Sequence, residues 1–93
     1  MAWPKKVPIL STRDIYHGDF NGPSGNHCIG GWLDCTFEDD RSFRSAMRSV
    51  RKTARLSPKS DIIEWNDRSA KRRIAAVWNR AMRKLGYTQP CNR

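Results

Sequence analysis

Residues 39–55 read DDRSFRSAMRSVRKTAR, and two helical patterns run through these residues together. The apolar positions are Phe43, Ala46, Met47, Val50 and Ala54, and the arginines are Arg41, Arg44, Arg48, Arg51 and Arg55. Residues three and four apart share one side of an α-helix, so the spacing predicts an amphipathic helix over about 41–55 with a row of arginines along it. Asp39 or Asp40 is suited to cap its N-terminus.

A helix is also predicted before this one, over about 27–37. Its apolar residues recur at three- and four-residue spacing and are Cys28, Ile29, Trp32, Leu33 and Phe37. Asn26 directly precedes it and is a residue type that favours the N-cap position. We therefore expect a buried central helix that begins after Asn26.

The last predicted helix covers about 67–85, with Asn66 or Asp67 as its cap and Gly86 at the left-handed position after its end. Its inward residues are Ile74, Val77, Trp78, Ala81, Met82 and Leu85, and its basic residues are Arg72, Arg73, Arg80, Arg83 and Lys84. Cations in the last turn suit the helix dipole. This helix therefore presents a second basic side.

The remaining segments are predicted to be irregular. Residues 1–26 are turns and extended chain in which Val7, Ile9 and Ile15 can form one short strand, and residues 61–65 are a strand or a tight turn. The prediction is a mainly α, compact three-helix domain with room for one short strand pair. The chain of 93 residues forms a single domain, made of an irregular segment (1–26), a helical core (27–86) and a tail (87–93). The expected core is Cys28, Ile29, Trp32, Leu33, Phe37, Phe43, Met47, Val50, Ile63, Trp65, Ile74, Val77, Trp78 and Leu85.

Charge is segregated along the chain. Residues 1–40 carry three basic and six acidic residues, whereas residues 41–84 carry fourteen basic and three acidic residues, within a total of +9. Twelve of the eighteen basic residues are arginine, whose planar guanidinium pairs with phosphate oxygens. The helix over 41–55 has no acidic residue to pair with its arginines. This imbalance favours a polyanionic partner.

Composition excludes several classes of protein. No apolar run approaches the ~20 residues of a membrane span, and the N-terminus lacks the apolar region of a signal peptide. Three cysteines do not make a disulfide framework, so reduced thiols and a cytoplasmic location are expected. No membrane contact and no small-molecule substrate are predicted.

Some residues could form a metal site or a catalytic site, or could have purely structural roles. The metal candidate is the set His17, His27, Cys28 and Cys35. Its spacing contains no paired-ligand motif, so we expect no metal and no cofactor. The catalytic candidates are Cys28 with His17 and Asp19, and Glu64 with Asp67. Both lack supporting motifs, and we expect no enzymatic activity.

Three features resemble a known family. Cys28-Ile29-Gly30-Gly31-Trp32-Leu33, the later Trp65-Asn66-Asp67 and the apolar helix after them resemble small phage and bacterial domains that have a Cys-x-x-Gly-x-Leu helix and a Trp-Asn-Asp or Phe-Asn-Asp segment. The resemblance covers about residues 16–85 and implies a mainly helical fold and a mobile-element origin, but no activity. This chain departs from the family in Trp32, where a small residue is usual, and in its arginine content.

Two functions follow as hypotheses. In the first, the arginines of both basic helices, with Lys84, bind DNA, RNA or a nucleoprotein complex through phosphates. In the second, the chain is an inhibitor or modulator of a host defence or nucleic-acid-processing complex and uses arginine and tryptophan as anchors, without contacting nucleic acid.

Overall fold

Four α-helices account for most of the described residues of the computed structural model, which are 6–18, 22, 25–87 and 89. The helices are α1 (Ile29–Thr36), α2 (Asp40–Thr53), α3 (Ile62–Arg68) and α4 (Lys71–Lys84), and a 3-10 helix covers Thr12–Asp14. The compact, mainly α fold is confirmed. The predicted count of three helices is wrong, because the segment predicted as a strand or tight turn is α3.

The two basic helices, α2 and α4, make the most extensive contact between elements. Ala46 and Val50 of α2 and Trp78 of α4 are completely buried in the shared core. The Ser49 hydroxyl donates to the Ala81 carbonyl at 3.1 Å. Because serine is small, it lets the backbones of α2 and α4 approach closely enough for this bond. The basic sides of α2 and α4 therefore lie on one pair of packed helices.

Asp61 explains why α3 forms. Its carboxylate accepts hydrogen bonds from the backbone N–H groups of Ile63 at 3.0 Å and Glu64 at 3.3 Å. These N–H groups have no partner inside the helix, so the cap stabilises the first turn of a short helix. Ile62 is then buried in the core.

The predicted cap of the last helix is also wrong. Asn66 and Asp67 lie inside α3, and α4 begins at Lys71 after Ala70, which offers no capping side chain. Asn66 is fully buried: its side-chain oxygen accepts from the Ile29 N–H at 2.8 Å, and its amide nitrogen donates to the Tyr16 carbonyl at 2.9 Å. The asparagine thus joins α3 to the start of α1 and to the N-terminal segment.

The N-cap of α1 is Cys28 rather than Asn26, because the Cys28 sulfur accepts from the Gly31 N–H at 3.4 Å. Of the two residues predicted to cap α2, Asp39 is the cap: its carboxylate accepts from the Ser42 N–H at 2.9 Å, and Asp40 is the first residue of the helix. Both helices begin and end within two residues of the predicted positions.

The N-terminal segment is attached to the helices by their side chains. Leu10 exchanges two hydrogen bonds with the Asn79 amide, at 2.8 and 2.9 Å. The Trp78 indole donates to the Pro8 carbonyl at 2.9 Å, and the Trp32 indole donates to the Asp14 carbonyl at 2.7 Å. The segment therefore satisfies buried backbone groups without a sheet.

The predicted strand of Val7, Ile9 and Ile15 is not found within the described ranges. Ile15 instead forms an isolated parallel bridge with His27. Val7 and Ile15 contribute to the core as buried side chains, as does Leu10. The strand does not form because backbone groups of this segment bond to side chains of the helices instead of to a neighbouring strand.

The core prediction needs a further correction. Trp32, Phe43, Met47, Ile63, Trp65 and Leu85 are only half-buried and pack around the core rather than inside it. Ile62 and Asn66 are the inward residues of α3. The predicted loop positions 19–21, 23 and 24, and the tail positions 88 and 90–93, lie outside the described residues.

Both basic helices end in the same backbone motif. After α4 the N–H of Tyr87 donates to the Met82 carbonyl, and Gly86 adopts φ +85, which confirms the predicted role of Gly86. After α2 the N–H of Leu56 donates to the Arg51 carbonyl at 2.8 Å, with Arg55 at φ 62. An arginine therefore holds the left-handed position that glycine favours.

No helix in the described part of the chain is long and apolar enough to cross a membrane.

We predict that Asn66→Ala lowers the free energy of unfolding by about 2–4 kcal/mol, because it leaves the Ile29 N–H and the Tyr16 carbonyl buried without partners. Asp67→Ala is the control: Asp67 is the exposed neighbour on the same helix, and its loss should change stability by less than about 0.5 kcal/mol. Urea unfolding of both variants measures the difference. Equal effects would contradict the role assigned to Asn66.

Candidate polyanion-binding surface

The arginines of α2 follow the helix surface next to its apolar side. Arg41, Arg44 and Arg48 are exposed. Arg51 is half-buried, so its side chain lies closer to the apolar side than those of the first three. Arg55 is exposed but lies beyond the helix end, where the left-handed backbone redirects the chain. The predicted row is therefore present, with its last two members in different surroundings from the first three.

Three clefts border α2 and α4, and each is lined by basic residues. The α2 cleft, of about 320 Å³, is lined by Arg44, Met47, Arg48, Arg51, Lys52, Leu56 and Pro58. The central groove, of about 290 Å³, is lined by Ser45, Arg48, Ser49, Lys52, Thr53, Lys84 and Leu85. The α4 groove, of about 420 Å³, is lined by Thr53, Arg72, Arg73, Ala76, Val77 and Arg80.

Shared residues place these clefts side by side. Arg48 and Lys52 line both the α2 cleft and the central groove, and Thr53 lines both the central groove and the α4 groove. We call the basic residues that line them the basic band; its members are Arg44, Arg48, Arg51, Lys52, Arg72, Arg73, Arg80 and Lys84. Among the described residues, no acidic side chain lines any of the three clefts. The three clefts therefore adjoin one another, and every charged side chain that lines them is basic.

Most of the band's charge is not neutralised inside the protein. Arg44 pairs with Asp40 at 3.1 Å, and both side chains are about three-quarters exposed. Over the described ranges, the other band members form no ion pair. An exposed pair of this kind contributes little to stability and is easily exchanged for another anion. The guanidinium and ammonium groups are thus available to an external partner.

The structure brings together seven of the ten predicted binding residues. Arg41, Arg55 and Arg83 are exposed but do not line the three clefts. Lys52 belongs to the band and was missed, although its position four residues after Arg48 places it on the same side of α2. Arg73 also reaches back to the end of α2, with its guanidinium 3.5 Å from the Ala54 carbonyl.

The metal candidates have separate structural roles. His17 donates through Nε2 to the Ser69 carbonyl at 2.8 Å, and the His27 ring packs edge-on against Trp32. Cys28 is the buried cap of α1 and Cys35 is exposed, and both are free thiols. In the described part of the chain no three His, Cys, Asp or Glu side chains are placed to hold a metal ion.

The second catalytic candidate is an exposed pair on α3. Glu64 and Asp67 are both solvent-exposed, and Glu64 lies 3.8 Å from Arg68 in an ion pair across one helical turn. Exposed carboxylates in water lack the buried surroundings that adapt an acid for catalysis. Their arrangement is that of a solvated helix surface.

One apolar groove adjoins the α2 cleft, because Met47 lines both. It has a volume of about 340 Å³ and is lined by Gly30, Asp34, Phe43, Met47, Ile62 and Ile63, where α1, α2 and α3 meet. Trp65 lies on a different part of α3, in a cleft with Asp61, Glu64 and Arg68. These two clefts therefore border the basic band at Met47 and Leu56, which also line the α2 cleft.

In the described part of the chain, the basic band is carried by the packed pair of α2 and α4. Comparison with known protein families, with curated proteins and with solved structures finds no match for this chain.

Proposed function

We propose that the chain is a small basic accessory protein, of the kind encoded by phages, that binds a nucleic-acid backbone through the basic band. The observation that carries the proposal is the set of eight basic side chains across α2 and α4 with no acidic residue among the cleft linings. A nucleic-acid backbone is a chain of phosphates, so it matches the basic band in charge and in length. The proposal involves no chemical step, so the protein acts by binding.

Contacts to phosphates are favoured over contacts to base edges. The band lies in shallow clefts along two packed helices, whereas base readout in a major groove needs a protruding helix whose side chains reach base edges. Guanidinium groups instead match phosphate oxygens, which are the same for every sequence. Binding should therefore depend strongly on salt and weakly on base sequence.

We predict that Arg48, Lys52 and Arg80 changed together to alanine weaken binding to a 20-bp duplex at least about tenfold and lower the slope of log affinity against log salt by about 3. Each of these side chains is exposed and lies in the band. Fluorescence anisotropy across a salt series measures both quantities.

The control for that variant removes the same charge elsewhere. Arg13, Lys59 and Arg68 are exposed and lie outside the three clefts, so their combined change to alanine should leave affinity within about threefold and reduce the slope by less than 1. If both triple variants weaken binding equally, net charge rather than the band is responsible. If the unaltered protein does not bind at low salt, the proposal is wrong.

Arg55 offers a test in which stability and binding change in opposite directions. A left-handed arginine is strained relative to glycine, so we predict that Arg55→Gly raises the free energy of unfolding by about 0.5–1 kcal/mol. Arg55 does not line the clefts, but it directly precedes Leu56 of the α2 cleft, so we expect its removal to weaken duplex binding only slightly. Urea unfolding and anisotropy on the same sample check both. A more stable variant that binds undiminished would show that Arg55 is not part of the surface.

The second candidate function is the modulation of a protein complex, and the apolar groove between α1, α2 and α3 favours it. Phe43, Met47 and Ile63 are half-buried there, and such residues can anchor a protein partner. In that case one or two substitutions, such as Phe43→Ala, would abolish binding, whereas substitutions in the band would have small and similar effects. The two functions are thus separated by the pattern of mutational effects.

A further inference from the structure

The α2 cleft is lined by both basic and apolar side chains. Its basic lining residues are Arg44, Arg48, Arg51 and Lys52, and we call its apolar lining residues, Met47, Leu56 and Pro58, the apolar wall. The volume of about 320 Å³ is at the lower end of the range for small-ligand sites. Its lining therefore suits a ligand that has an anionic group and an adjoining less polar group.

The charge in this cleft is available to a ligand. Arg44 is occupied by Asp40, but Arg48, Arg51 and Lys52 form no ion pair over the described ranges. Three cations with no carboxylate in the lining repel one another, and an anion relieves this repulsion. A phosphate, with up to two charges and several acceptor oxygens, matches them best.

Arg51 gives the cleft a second and independent feature. Its Nε is buried and has no hydrogen-bond partner, one of few such atoms in the described part of the chain. A buried N–H without an acceptor is costly, so the free protein holds Arg51 in an unsatisfied state. Rotation of the side chain toward the cleft would present Nε and one terminal nitrogen together, the paired donors that bind two phosphate oxygens.

The apolar wall is held in place by the end of α2. The Leu56 N–H donates to the carbonyl of Arg51 itself, so the backbone motif that ends the helix also sets the distance between the wall and the arginine. Leu56 and Met47 are half-buried and face the open cleft. A sugar attached to a bound phosphate would cover these side chains.

We infer that the α2 cleft binds one phosphate ester together with its sugar, and that Arg51 is its principal anchor. The inference rests on the proposed function, of which it names one subsite. The rest of the basic band contacts further phosphates, whereas this cleft contacts a phosphate and the sugar next to it.

Methyl NMR of the methionines tests the inference in the intact protein. Met47 lines the cleft and Met82 is completely buried in the core, so Met82 is an internal control. Titration with adenosine 5′-monophosphate should shift the Met47 methyl and leave Met82 unchanged, with an affinity about tenfold above that of inorganic phosphate. Adenosine without phosphate should produce no shift at the same concentration.

Two matched variants identify the anchor. Arg51→Lys keeps the charge but loses the paired donors, and it should weaken binding of the monophosphate about tenfold. Arg41→Lys makes the same change on an exposed arginine of α2 outside the cleft and should leave that affinity unchanged. Equal effects of the two variants, or a Met47 methyl that does not move with the monophosphate, would overturn the inference.

A duplex titration separates this inference from the proposed function. Duplex binding that leaves the Met47 methyl unmoved would overturn the subsite and retain the basic band. A monophosphate that binds at Met47 when no duplex binds at low salt would support the subsite and remove the proposed function.

Discussion

The fold depends on hydrogen bonds from helix side chains to the backbone of an irregular segment. Residues 6–18 carry buried peptide groups without a sheet to pair them, and a buried unpaired peptide group is costly. Asn66, Asn79, Trp32 and Trp78 supply the partners. These bonds hold the segment against α4 and α1, so Val7, Leu10 and Ile15 can complete a core that the helices alone would leave open. A small domain needs this contribution because its own helices bury limited apolar area.

That core sets where the charge lies. α2 turns Ala46 and Val50 inward against Trp78, and the small residue Ser49 brings α4 close. Once these inward positions are occupied, the arginines of both helices are left on neighbouring outer surfaces. The charges repel one another there, which lowers stability, and the buried contacts between the helices offset this repulsion. A surface with this many basic residues therefore depends on the close packing of α2 against α4.

At the end of α2, a single residue shows the same conflict between stability and positive charge. The helix ends in a motif that favours glycine, and glycine does occupy the equivalent position after α4. Arg55 occupies it after α2 with φ 62. Strained backbone that is retained in a small domain points to a use for the side chain. The Nε of Arg51, which lines the α2 cleft, is buried without a partner one turn earlier, so two departures from optimal stability occur within one helical turn.

Local patterns were enough to predict the mainly α class, the positions of α1 and α2, a cap of α2 at Asp39 or Asp40, the left-handed Gly86 and the row of arginines. Each of these depends on residues within about one or two helical turns of one another, where spacing determines which side chains share a surface. The buried role of Asn66, the half-buried state of Trp32 and Trp65, and the joining of Lys52 and Lys84 in one groove were decided by the tertiary structure. These depend on partners far away in the chain, such as Tyr16 and Ile29 for Asn66. An asparagine before a helix has the same local pattern whether it caps that helix or enters the core, and only the packed structure distinguishes the two.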